Sequence, residues 1–387
     1  MRICHVITRL IIGGAQENTV LTCRGLAERG HDVTLIAGEE TGPEGSLWDK
    51  AEEAGCELIR LPAMGRAVSP VQDLLARREL RRTFRRLRPD VVHTHSSKAG
   101  IVGRSAARAA NVPVIVHTIH GMSFNRTQPR LVRGMYRFLE RRAASYTTHF
   151  VAVADAMIEQ AVAAGIAPRE RFSTIRSGIE TERFQPNIEL RAEHRRAWGV
   201  ADDEVVVGTI ARLFENKGYD EILAAMPLAA ARLQRLRFVW IGDGAHRPRY
   251  EAELRTIGLR QRTHLLGLVQ PEQIPSLLNG LDVLVHASRW EGLPRAVVQA
   301  LLMQVPAVSF DNDGAPEVVI HGETGLLVRY DDVAGLADAI VQLAMDPSLR
   351  KRLGECGRTR CLSMFDWRTM VQELHRLYNR LMDQPRR

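Results

Sequence analysis

The feature that most limits the fold is an alternation sustained from one end of the chain to the other. Short runs rich in Val, Ile and other apolar residues are separated by segments whose apolar residues recur at helical spacing. Strands are expected at residues 3–8, 33–37, 58–61, 91–94, 114–118, 150–154 and 173–176, then at 205–210, 237–241, 264–268, 283–286, 307–310 and 326–328. Strands that alternate with helices form βαβ units, so the chain is read as α/β with parallel sheets covered by helices. A turn-rich stretch through Ser177-Gly178 and Gln185-Pro186-Asn187 interrupts the rhythm and implies two doubly wound, Rossmann-like halves. The expected divisions are 1–185, 186–365 and a terminal helix within 366–387, whose apolar stripe is Trp367, Met370, Val371, Leu374, Leu377 and Leu381.

Composition narrows the class. With 387 residues, 45% hydrophobic and 25% charged, the chain has the make-up of an ordinary globular protein of two or three domains. No stretch reaches the ~18 uninterrupted apolar residues of a membrane span. The first 15 residues are broken by Arg9 and read as a strand rather than a signal peptide. Five scattered cysteines without a Cys-x-x-Cys pair argue against structural zinc and for a reducing, cytoplasmic setting.

Net charge is +8, and residues 1–190 hold 27 basic against 20 acidic side chains, a net of +7. An anionic partner is therefore expected on the first half. With 5% aromatics and no recognisable module, nucleic acid is not expected.

In open α/β sheets, ligands bind at the carboxyl ends of the strands, so the residues just after strands carry the information. Gly13-Gly14-Ala15-Gln16 follows the first strand and would let backbone approach a ligand, or form a plain tight turn. Arg212 and Lys217 flank the loop after strand 205–210; two cations beside a helix start suit a diphosphate without a metal, the alternative being a solvated loop. Lys217 is one of four lysines in a chain whose other 49 basic residues are Arg. After strand 283–286 comes Ser288-Arg289-Trp290-Glu291-Gly292-Leu293-Pro294, with Pro294 suited to a first helical turn. Glu291 could accept from sugar hydroxyls while the Gly292 and Leu293 amides donate, or it could cap the helix.

These residues together resemble the retaining GT-B glycosyltransferases of family 4, over nearly the whole chain. The resemblance is carried by Gly13-Gly14-Ala15-Gln16, Thr118-Ile119-His120-Gly121, Arg212 with Lys217-Gly218, Gly242-Asp243-Gly244, Ser288 to Pro294, Gly314-Ala315-Pro316-Glu317 and Gly322-Glu323-Thr324-Gly325-Leu326. It implies a nucleotide-diphosphate sugar as donor substrate, a glycan or lipid-linked acceptor, and no metal or other cofactor. It also implies two domains facing across a cleft, the second binding the donor, and a terminal helix that returns to the first. Arg212 and Lys217 would grip the diphosphate, Gly13 and Gly14 would lie over it with Gly242 also on the donor side, Glu291 would hold the sugar, and His120 would face it from the opposite wall. Where the family often has a second Glu for the ribose hydroxyls, this chain has Gln299, and a neutral amide makes the weaker hydrogen bond. The rival readings are a GT-B sugar-nucleotide epimerase and a binding protein that keeps the fold without turnover.

His95, Ser96 and Lys98, after strand 91–94, are the acceptor-side candidates. His93 and His95 are taken to point to opposite faces of their strand, which counts against a two-histidine metal site. Two arginine-rich amphipathic segments, 77–88 and 130–142, could lie on an anionic membrane surface. Alternatively, their apolar faces pack inward and the arginines are simply solvated. Peripheral membrane attachment would suit an enzyme of cell-envelope polysaccharide, lipopolysaccharide or glycolipid synthesis.

Overall fold

Every expected strand forms, within a residue or two at its ends. The computed structural model describes residues 1–39, 41–42, 45–125 and 127–384, and the structural statements below concern these. The strands are β1 (Arg2–Arg9), β2 (Asp32–Gly38), β3 (Glu57–Arg60), β4 (Val91–His95), β5 (Val114–Ile119), β6 (His149–Ala152) and β7 (Phe172–Thr174). The second half supplies β8 (Val205–Ile210), β9 (Leu236–Ile241), β10 (Thr263–Gly267), β11 (Val283–His286), β12 (Ala307–Asp311) and β13 (Gly325–Arg329). β6 stops at Ala152, short of the expected 154, because its pairing with both neighbours ends there, at Ile119 of β5 and Thr174 of β7.

The two sheets have the orders β3-β2-β1-β4-β5-β6-β7 and β10-β9-β8-β11-β12-β13, and their strand pairs are parallel. Each order reverses once, between β1 and β4 and between β8 and β11. At such a switch point, the loops leaving two adjacent strands diverge to opposite faces and open a crevice.

Alternating side chains feed a core on each face of the first sheet. Ile3 and Ile7 pack with Val33, Leu35 and Val116 on one face, and Cys4 and Val6 with Ile36, Val92 and Ile115 on the other. The terminal helix Trp367–Met382 closes the first of these cores with Trp367, Met370, Val371, Leu374, Leu377, Tyr378 and Leu381. It lies close against the helix Gly14–Ala27, where a Cβ on Gly25 would come within 2.7 Å of Val371 Cγ2.

The chain divides into two compact units, Met1–Ile179 with the segment from Trp367, and Glu180–Asp366. The stretch up to residue 185 goes with the second unit because Thr181 Oγ1 donates to Asp366 Oδ2 at 2.7 Å and Arg358 Nη1 to Phe184 O at 2.7 Å. Residues 385–387 of the expected terminal segment lie outside the described residues. Among the described residues, no helix is long and apolar enough to cross a membrane.

Trp367→Ala removes a large side chain buried between the terminal helix and the first unit, and is expected to destabilise that unit by about 3–5 kcal/mol. Urea unfolding followed by circular dichroism checks this; a loss below ~1 kcal/mol would contradict the packing role.

Candidate active site

The switch point of the second sheet brings two of the expected residues together. Lys217 follows β8 at the end of a short 3-10 turn, Glu215–Lys217, and Glu291 follows β11. Lys217 Nζ donates to Glu291 Oε2 at 2.6 Å, and Ser288 Oγ donates to the same oxygen at 2.9 Å. Oε1, the other carboxylate oxygen, takes neither bond. The turn is possible because Gly218 sits at φ +75°, where a Cβ would also lie 1.8 Å from Ala287 O.

The pair rests on a braced loop. Arg289 N donates to Asn216 O at 2.9 Å, tying the loop after β11 to the turn after β8, and Ser288 Oγ lies 3.2 Å from the same carbonyl. Glu291 N donates to Asp313 Oδ2 at 2.8 Å, and Asn312 Nδ2 reaches Ser288 O and Arg289 O at 3.2 and 3.1 Å. Arg289 in turn holds Glu221 at 2.7 Å. Asn216, His286, Asn312 and Asp313 were not read from the sequence as site residues. The turn after β12 could have been found by applying the carboxyl-edge rule to that strand as well.

Burial alone would raise the Glu291 carboxyl, but the Lys217 ammonium, His286 and the bonds from Lys217 and Ser288 outweigh it and hold it below the usual range. His286 Nε2 lies 4.0 Å from Glu291 Oε2. Burial drives that imidazole from its ordinary 6.5 to about 4, a shift that nearby Glu291 opposes and Lys217 reinforces.

The other residues of the second unit expected on the donor side are placed as follows. Arg212 is exposed, its guanidinium 5.0 Å from the centre of the Phe214 ring. Gly242 follows β9 and donates to Gly267 O at 2.9 Å, while Leu213 N donates to Asp243 O at 3.0 Å. Gly292 and Leu293 are buried, and Gln299 is half-buried on the helix Arg295–Leu302. That helix starts one residue after Pro294, which takes the position just before the first turn rather than within it.

In the first unit, the β1–β4 switch point gathers different groups. Gly13 and Gly14 lead into the helix Gly14–Ala27. Thr8 Oγ1 and Ser96 Oγ lie 2.7 Å apart, and Ser96 takes φ +63°. Lys98 is drawn away into an ion pair with Asp73 at 2.6 Å. His95 is 1% exposed and hydrogen-bonds His5 on one side and His120 on the other, at 3.0 Å each. The expectation that His93 and His95 face opposite ways is wrong: residues two apart on a strand share a face, and their rings lie 4.4 Å apart.

The two arginine-rich segments behave differently. In the helix Pro70–Leu87, Leu80 and Phe84 pack inward, and Arg77 and Arg81 bond Ser105 Oγ and Ala109 O. In the helix Arg130–Ala144 the apolar face is turned outward, with Leu131 89% and Phe138 64% exposed beside Val132 and Met135. Arg137 and Arg141 reach instead to Ala164 O.

Two family descriptions fit this architecture: the glycosyl transferase 4-like domain over residues 13–178, and glycosyl transferases group 1 over residues 191–360. The chain belongs to the GT-B glycosyltransferases. The enzyme is 28% identical over 381 residues to the UDP-Gal:alpha-D-GlcNAc-diphosphoundecaprenol alpha-1,3-galactosyltransferase of Escherichia coli, covering 98% of this chain and 96% of that protein. It is 24% identical over 366 residues to the GDP-mannose-dependent alpha-(1-6)-phosphatidylinositol monomannoside mannosyltransferase of Mycobacterium tuberculosis, covering 91% and 90%. The crystal structure of Anabaena HepE in complex with UDP and glucose has the same fold, with TM-score 0.83 at 20% identity over 98% of this chain and 100% of that one.

The site makes the glycosyltransferase acid-sensitive in a defined window. His286 ionises at about 4 when folded and at 6.5 when free, so between these values the unfolded chain binds more protons and stability falls as pH falls. Glu291, held low, loses its own contribution as pH drops further. In His286→Gln, the melting temperature is expected to fall less steeply between pH 6.5 and 4 than in the parent, measured by differential scanning calorimetry; an unchanged slope would contradict the assignment.

Proposed function

We propose that this glycosyltransferase moves a sugar, with retention of anomeric configuration, from a nucleoside-diphosphate sugar to a lipid-linked or polysaccharide acceptor of the cell envelope. The observation that carries the reading is the Lys217–Glu291 pair at the β8–β11 switch point, where an α/β sheet presents its ligand site. The named relatives include enzymes using UDP-Gal or GDP-mannose on diphosphoundecaprenol- or phosphatidylinositol-linked acceptors.

In this reading Lys217 and Arg212 meet the diphosphate and stabilise the charge that grows on it as the bond to the sugar breaks. Their two charges do the work a metal would otherwise do. Glu291 keeps Oε2 on Lys217 and Ser288 and offers Oε1 to the sugar hydroxyls. The donor phosphate competes with Glu291 for the ammonium, so the pair orients Lys217 before the donor arrives. Gly13, Gly14, Gly242, Gly292 and Leu293 approach the donor through backbone, and Gln299 accepts from the ribose through its amide oxygen. His120 is taken as a further group that serves the sugar. The acceptor hydroxyl attacks the anomeric carbon from the face the phosphate leaves, and the departing phosphate oxygen takes its proton.

The first unit is the acceptor side in this proposal. The outward apolar face of the helix Arg130–Ala144, with Arg130 and Arg142 exposed beside it, supports peripheral attachment to an anionic bilayer from the cytoplasmic side.

Release of nucleoside diphosphate that depends on acceptor, screened with UDP-, GDP- and ADP-sugars, tests the activity. Proton spectra of the first-formed product test retention, and an inverted linkage would overturn it. Lys217→Ala is expected to lower kcat by about 10²- to 10³-fold with the fold intact. Parent vesicles of phosphatidylglycerol should pull down the protein at low salt, and Leu131→Glu with Phe138→Glu should abolish this; equal binding by both proteins would overturn the membrane face.

A further inference from the structure

Five histidines of the first unit, His5, His93, His95, His117 and His120, lie on β1, β4 and β5 or just beyond. Four share one face. His5 stands level with His93 across the β1–β4 pair, and His95, two residues further along, stands level with Thr118 of β5. His117 turns to the other face, where its Nδ1 meets Thr94 Oγ1 at 2.9 Å.

His5, His93 and His95 are close enough to share a metal ion, but the bonding pattern favours something else. Both nitrogens of His93 are engaged, Nδ1 with Tyr378 Oη at 2.5 Å and Nε2 with Thr118 Oγ1 at 2.6 Å. The remaining rings form a line: His5 Nδ1 to His95 Nε2 at 3.0 Å, then His95 Nδ1 to His120 Nε2 at 3.0 Å. The far end of the line, His5 Nε2, is buried and has no hydrogen-bond partner among the described residues.

Counting protons gives the line a direction. Each neutral ring carries one N–H, and each bond in the line consumes one. The third proton must sit at an end, on His5 Nε2 or on His120 Nδ1. A buried N–H without an acceptor is costlier and rarer than a bare acceptor nitrogen, so the proton belongs at the His120 end. His5 Nδ1–H then donates to His95, and His95 Nδ1–H donates to His120 Nε2. Burial keeps the inner rings neutral, holding His5 at about 3 and His95 well below its ordinary value.

We propose that His5 and His95 are positioning residues that hold His120 as its neutral Nδ1–H tautomer, so that His120 serves the transfer as a hydrogen-bond donor and not as a base. This rests on the placement of His120 at the sugar site. A proton added at His120 Nε2 would reverse both bonds and strand an N–H at His5 Nε2, so the line resists that change. The acceptor's proton is thereby left to the departing phosphate.

The test is made on full-length protein labelled with 15N-histidine, using two-bond proton–nitrogen correlation spectra, with the His120 signals assigned by their loss in His120→Gln. At pH 7.5 the expected result is a protonated Nδ1 and a bare Nε2; the reverse would overturn the proposal. Zinc or another metal found by elemental analysis in stoichiometric amount would also overturn it.

Activity supplies the second arm. In His95→Asn the side-chain amide can replace the Nδ1–H donor, and kcat should stay near the parent value. In His95→Gln that donor is lost; kcat should fall roughly tenfold, with a new ionisation near the ordinary histidine value of about 6.5 in the kcat profile. A parent-like profile in His95→Gln would overturn the lock. Full activity in His120→Ala would instead overturn the placement of His120, a failure that leaves the tautomer spectra unaffected and so separates the two ideas.

Discussion

Two neighbouring strands whose connections leave in opposite directions are the constraint on which the rest depends. A parallel sheet cannot join adjacent strands by hairpins, so each crossover must go to one face or the other, and where the winding reverses nothing covers the edge. In the second sheet that place lies between β8 and β11. The turn after one strand delivers Lys217 and the loop after the other delivers Glu291, 74 residues later in the chain. The charge pair is a product of winding order more than of local sequence. Its bracing by Asn216, Asn312 and Asp313 spreads the same logic to the next strand outward.

The strands were legible because a sheet buried on both faces demands uninterrupted apolar, β-branched runs; β8, Val205-Val206-Val207-Gly208-Thr209-Ile210, is such a run. The ends of β6 and β7 were less so, since they are set by where neighbouring strands stop pairing. Lys217 and Glu291 were legible as separate residues after strands, but their mutual bond was not, because it joins loops distant in sequence. That His93 and His95 share a face follows from their spacing on one strand, but the spacing does not place His5 level with His93. That requires the order β1-β4 in the sheet.

The helix Arg130–Ala144 shows how a pattern can be right while its orientation stays open. Its apolar and basic faces are plain in the sequence, and either could have met the sheet. The side that packs inward is neither of these but Glu140, Ala143 and Ala144, with Arg137 and Arg141 bonding Ala164 O from its margin, and this leaves Leu131 and Phe138 outside. An abundance of arginine therefore does not by itself mark a solvated face. The same side chain can serve as a clamp, as Arg104 does on Glu140 at 2.6 Å.

The terminal helix has a consequence for the birth of the protein. The strands of the first unit all precede Glu180, yet one face of its sheet is sealed by Trp367 and by Tyr378, which also bonds His93. During synthesis the second unit, continuous from Glu180 to Asp366, emerges with everything it needs. The first keeps an open apolar flank until the helix Trp367–Met382, which follows the whole second unit, has been made. Assembly thus runs against the usual N-to-C order, and the unit made first is the one finished last.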